Sequence, residues 1–106
     1  DPKPITPDEA IEALIPGPGE LALRQAEIGV DMAPGWLAAL QVDGAEIPED
    51  QLTVTEELGR FLYRPGSGTE TGALAPGRHT VTVVYWPDTA TRESSAKTYS
   101  WSFIAS

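Results

Sequence analysis

His79-Thr80-Val81-Thr82-Val83-Val84-Tyr85-Trp86 alternates from residue to residue, and Thr98-Tyr99-Ser100-Trp101-Ser102-Phe103-Ile104 does the same further on. A strand turns successive side chains to opposite faces, so this period of two marks half-buried β-strands rich in β-branched and aromatic residues. In the first stretch Val81, Val83 and Tyr85 share the face expected to meet the core, and Thr80, Thr82, Val84 and Trp86 share the other. In the second, Tyr99, Trp101 and Phe103 stand opposite Ser100 and Ser102, which makes Trp101 the leading core tryptophan. The polar, Thr/Ser-rich segment Pro87–Ala96 between them reads as a long exposed hairpin loop.

Working outward, the same signal recurs in short runs separated by turn residues. Strands are expected at Glu20–Arg24, Glu27–Met32, Leu37–Val42, Gln51–Thr55, Arg60–Arg64, His79–Trp86 and Thr98–Ala105. Asp43-Gly44 marks a tight turn after the third. About seven short strands in a chain of this size predict an all-β fold, an immunoglobulin-like antiparallel β-sandwich. Ahead of them, Thr6-Pro7-Asp8-Glu9 reads as a capping box, with Ile11, Leu14 and Ile15 at helical spacing, so a short helix is expected over 7–14. Pro16-Gly17-Pro18-Gly19 would end it. The proline-rich residues 1–5 have the composition of a linker or tether, and 6–106 form one domain.

Leu74-Ala75-Pro76-Gly77-Arg78-His79-Thr80-Val81-Thr82-Val83, with the closing strand Tyr99-Ser100-Trp101-Ser102-Phe103, resembles the C-terminal half of bacterial immunoglobulin-like domains. Arg24-Gln25-Ala26-Glu27-Ile28-Gly29-Val30-Asp31 and Val42-Asp43-Gly44-Ala45-Glu46-Ile47-Pro48 resemble membrane-anchored extracytoplasmic proteins of actinobacteria. The resemblance covers about residues 20–105 and implies a cell-surface or secreted domain, membrane-anchored in the full-length protein. Such domains serve unrelated tasks, so the resemblance implies a fold and a location more than a function. The chain departs from antibody-type domains in lacking the cysteine pair.

The composition narrows function mainly by exclusion. With no cysteine there is no disulfide framework, thiolate nucleophile or cysteine zinc site. The net charge of −9 divides into −11 over residues 1–57 and +2 over 58–106. A chain so acidic, with no basic cluster, is repelled by nucleic-acid phosphates. An acidic docking face for a cationic partner is one reading of the asymmetry; solubility is the other. Weak attraction between the two halves of different molecules would give a monomer or a weak dimer.

His79 is the single histidine, and nothing beside it in sequence completes a catalytic triad or a metal site. Gly66-Ser67-Gly68 lacks the lysine and helix of a phosphate loop. Glu46, Glu49, Asp50, Glu56 and Glu57 flank one short strand, where full solvation would suit neither partner of an acid–base pair. Asp43-Gly44-Ala45-Glu46 lacks the alternating acids of a calcium loop. No enzyme, metal or cofactor is therefore expected. The reading is a non-catalytic extracytoplasmic interaction or spacer domain with a protein or cell-wall glycan partner. The alternative is a carbohydrate-binding module stacking sugars on Trp36, Trp86 and Tyr63.

Overall fold

Two sheets, built from strands that each bury one face, enclose the core in the computed structural model, which describes residues 10–66 and 68–106. The strands are β1 (Ile11–Ile15), β2 (Leu21–Ala22), β3 (Ile28–Met32), β4 (Trp36–Val42), β5 (Ala45–Glu46), β6 (Leu52–Thr55), β7 (Arg60–Tyr63), β8 (Gly77–Pro87) and β9 (Lys97–Ala105). One sheet has the order β1-β3-β7-β6 and the other β2-β9-β8-β4-β5. All pairings are antiparallel except β2 with β9. Each of the seven expected strands is present, so the chain is an all-β sandwich of immunoglobulin-like type. The tether expected at 1–5 lies outside the described residues.

The alternation read in β8 and β9 is realised across their register, in which Val81 faces Trp101, Val83 faces Tyr99 and His79 faces Phe103. Val81, Val83, Tyr85, Trp101, Phe103 and Ala105 join Leu40 and Val42 of β4 in the core, against Ile28, Val30, Phe61 and Tyr63 of the other sheet. Each fully buried Val, Leu, Ile or Phe among them contributes about 1.5–3 kcal/mol. The indole of Trp101 is satisfied by donating to the Pro16 carbonyl at 2.8 Å, which fastens the β1–β2 connection to the second sheet. The opposite face of that sheet is polar where Thr82 and Ser100 bond at 2.7 Å. Val84 and Ala39, also buried, lie on this outer face, where a one-turn helix α1 (Arg92–Ser95) packs on β8. The Pro87–Ala96 connection thus contains a turn of helix, capped by Thr91 accepting from the Ser94 amide.

The expected N-terminal helix is not formed over residues 11–14, which belong to β1; its residues 7–9 lie outside the described residues. A bulge explains the misreading. Ile11 opposes Met32 and Ala13 opposes Asp31, so one extra residue in β1 shifts the register, and Leu14 opposes Val30. Ile11 and Leu14 consequently share the core face although they are three residues apart, a spacing that mimics a helix.

Two glycines permit the first sheet. A Cβ on Gly29 would sit 1.9 Å from the Phe61 carbonyl oxygen. Gly59 has φ +63° and would place a Cβ 2.2 Å from the Met32 carbonyl oxygen, while its own carbonyl accepts the Met32 amide at 2.7 Å.

Candidate functional site

Strand β4 runs from one end of the sandwich to the other, and its two ends differ in chemistry. At its C-terminal end, Asp43 (φ 51°) and Gly44 (φ 86°) make the expected tight turn into β5. Asp43 Oδ1 accepts the Thr80 amide at 2.9 Å, and Oδ2 lies 2.6 Å from His79 Nδ1. His79 Nε2 lies 2.7 Å from the Ala75 carbonyl oxygen. A carbonyl and a carboxylate only accept, so both ring nitrogens donate and the geometry selects the imidazolium. Desolvation, the largest single influence, opposes that charge; the Ala75 carbonyl and the Asp43 hydrogen bond and charge together outweigh it and raise the pKa. His79 therefore ties three segments together, and neither nitrogen retains a lone pair for a metal or for general-base work. Among the described residues no group of three His, Cys, Asp or Glu side chains is placed to hold a metal ion.

Tyr63 belongs to this end as well. Its expected role as a stacking surface is corrected: the residue is 0% exposed in the core. Alternation along β7 sends Phe61 and Tyr63 inward together, and the hydroxyl is spent on the loop that follows. It lies 2.8 Å from Thr69 Oγ1 and 2.7 Å from Thr71 Oγ1, and it accepts the Thr71 amide at 3.1 Å.

The two remaining tryptophans sit at the other end, yet they do not form one platform. Trp36 opposes Pro87, and Leu37 opposes Trp86. Trp36 accordingly faces inward, half-buried, with its ring 5.7 Å from that of Tyr85. Trp86 faces outward beneath Arg92, whose guanidinium lies 5.7 Å from the ring centroid. Arg92 is held there by both carboxylate oxygens of Glu46 on β5. The hydrogen bond from Arg92 lowers the Glu46 pKa, so Glu46, expected to be fully solvated, is instead an ion-pair partner and a still poorer acid.

What this end does offer is a cleft of about 310 Å³ between the sheets, lined by Gly35, Trp36, Leu37, Val54, Gly59 and Phe61, with Asp88 at its rim. Next to it, across Gly59, Glu12, Pro34, Glu57 and Leu58 line a second depression. Leu37, Val54 and Leu58 are 41%, 46% and 56% exposed; toward the other end of the sandwich Leu21, Leu23 and Ile104 are exposed as well. Arg60, the cation beside Gly59, is committed to Asp31 through two hydrogen bonds of 2.7 and 3.1 Å. Trp36 was accessible to sequence reasoning as a strand-end tryptophan. Leu37, Val54, Leu58 and Phe61 were not, because the cleft assembles from β4, β6, β7 and the turn between the last two, and no local motif joins them.

The sandwich has the fold of CopC. The likeness is to the crystal structure of CopC from Methylosinus trichosporium OB3b, with a TM-score of 0.64 over 90% of this chain and 90% of that one, at 9% sequence identity. At that identity the likeness is one of fold. No protein-family model matches the chain, and no curated relative matches it.

Proposed function

We propose that the chain is a non-catalytic, extracytoplasmic interaction domain whose contact surface is the cleft at the Trp36 end. The observation that carries this reading is the contrast between satisfied polar groups and unsatisfied apolar ones. His79 and Asp43 are spent on holding segments together, whereas Leu37 and Val54, both exposed, line a cleft together with Trp36 and Phe61. Buried aromatics rimmed by apolar side chains form the kind of pocket in which binding energy concentrates. The extracytoplasmic location is supported by the resemblance of residues 20–105 to bacterial surface domains. Trp86, covered by Arg92, is not the sugar platform that a carbohydrate-binding module requires.

The test is retention of envelope components of the producing cell on the immobilised domain. A component held by the native domain should be lost at least tenfold in a Leu37→Ser, Val54→Ser double variant and kept by Trp86→Ala. Equal retention by the double variant, or loss confined to Trp86→Ala, would overturn the assignment.

A further inference from the structure

We infer that strand β6, beside this cleft, is a docking edge for an extended peptide with basic residues at both ends; this rests on the contact surface proposed above and names its partner class. The inference starts from the four sheet edges. β1 carries a bulge, and β2 and β5 are two residues long, which are the usual ways a sheet blunts an edge against pairing. β6 is different. Leu52–Thr55 pair with β7 in unbroken register, contain neither proline nor bulge, and among the described residues no strand lies beyond them. The Leu52 amide closes the preceding 3-10 turn by donating to the Glu49 carbonyl, so an added strand would pair from the Leu52 carbonyl onward, the mode in which main-chain hydrogen bonds give affinity and alternate side chains give specificity.

The second observation is where the strand leads. Val54 lines both β6 and the Trp36 cleft, so a strand added to this edge runs past the cleft mouth and can place one apolar side chain in it. Charge decides the occupant. Glu49 and Asp50 precede β6 in a 3-10 turn, and Glu57 follows it in another. All three are exposed, and no ion pair with a described residue engages them. An extended chain advances about 3.3 Å per residue and a 3-10 turn about 2 Å, so the run from Asp50 to Glu57 corresponds to an extended peptide of roughly five or six residues. Cations at its two ends would meet these carboxylates while the centre pairs with Leu52–Thr55. An acidic segment would be repelled at both ends.

The experiment uses fluorescein-labelled ten-residue peptides and the full chain, read by fluorescence anisotropy. One peptide has two lysines at each end of an alternating Val/Thr centre. A second has glutamates in place of the lysines, and a third keeps the lysines but carries N-methylated amides along the centre. The first should bind, at least tenfold more tightly than either of the others, and should weaken several-fold between about 50 and 500 mM salt, over which the screening length falls from roughly 14 to 4 Å. A Glu49→Lys, Asp50→Lys, Glu57→Lys variant should exchange the preference of the first peptide for the second. These sites are exposed, so circular dichroism should match the native chain. Equal binding of lysine- and glutamate-ended peptides, indifference to N-methylation, or no binding at all would overturn the inference. If the peptides fail while the envelope component is still lost in the Leu37→Ser, Val54→Ser variant, the edge assignment falls and the cleft assignment stands. If neither effect is seen, both fall.

Discussion

The two ends of β4 lie six residues apart on one strand, about 20 Å, and use their side chains in opposite ways. At the Asp43 end the polar groups find partners: Asp43 with His79 and Thr80, His79 with Ala75, Tyr63 with Thr69 and Thr71. At the Trp36 end Arg60 is neutralised by Asp31, yet Leu37, Val54 and Leu58 remain exposed and Asp88 and Glu57 line open depressions. Satisfied hydrogen bonds fix a structure, and exposed apolar surface beside unpaired charge leaves free energy available for a partner. The difference teaches that the richer polar constellation, with the single histidine, is the structural one. Exposed apolar side chains occur at both ends, Leu21, Leu23 and Ile104 lying toward the Asp43 end, so what marks the Trp36 end as the proposed contact surface is its cleft between the sheets.

The largest effect expected breaks the comparison at the open end. Gly59→Ala forces an L side chain into φ +63° and drives its Cβ against the Met32 carbonyl, 2.2 Å away. Strain and overpacking together should cost roughly 2–4 kcal/mol, seen as a lower urea midpoint. A midpoint within error of the native chain would mean that the turn beside the cleft is not held as described. Next in size is Tyr63→Phe at the closed end. It keeps the buried ring and removes the hydroxyl, leaving the Thr71 amide without its acceptor. A loss of about 1–3 kcal/mol is expected, with faster proteolysis confined to the loop after β7. Uniform protection of that loop would show that the hydroxyl does not hold it.

The same contrast explains what the sequence disclosed. β8 and β9 are legible because they alternate nearly throughout and pair with each other across a hairpin, so pattern and partner lie in one stretch. β1 was misread because its bulge converts a period of two into the spacing of Ile11 and Leu14, and only the register with β3 reveals it. For the site, Trp36 stood out by residue type alone. Tyr63 was misplaced because a tyrosine near a strand end says nothing about whether its hydroxyl meets water or a pair of threonines six and eight residues on. The Leu37–Val54 pair was invisible for the same physical reason that the Asp43–His79 pair was: each joins side chains far apart in sequence.

A smaller effect, and a sharper one, concerns pH. His79 is held as a cation by Asp43 and Ala75, and its pKa in the folded chain is raised above the ordinary value of about 6.5. A raised value in the folded state means that the stabilisation is complete below the unfolded pKa and is lost as pH climbs through the folded one. Thermal stability should accordingly decline as pH rises above about 6.5, and His79→Gln should flatten that decline while leaving peptide binding at β6 unchanged. A native profile with no decline on the alkaline side would remove His79 from its place as the tie at the closed end.

The smallest effect tests whether the outer-face contact at Trp86 belongs to either end. Arg92→Ala removes the guanidinium from the indole and from Glu46, both partly exposed. Exposed ion pairs are worth about 0–1 kcal/mol, so the midpoint should shift by no more than that. The Glu46 pKa is lowered in the folded chain by its bond to Arg92, so this contribution is present above the ordinary carboxylate range and disappears as pH falls through the lowered value. The variant should therefore match the native chain in acid and differ only above it. It should also uncover the Trp86 ring. If cell-wall glycans then quench tryptophan fluorescence in the variant and not in the native chain, Arg92 acts as a cover over a stacking surface. If neither responds, the outer face carries a structural clasp, and the division of labour along β4 stands with its contact surface confined to the Trp36 cleft and the β6 edge.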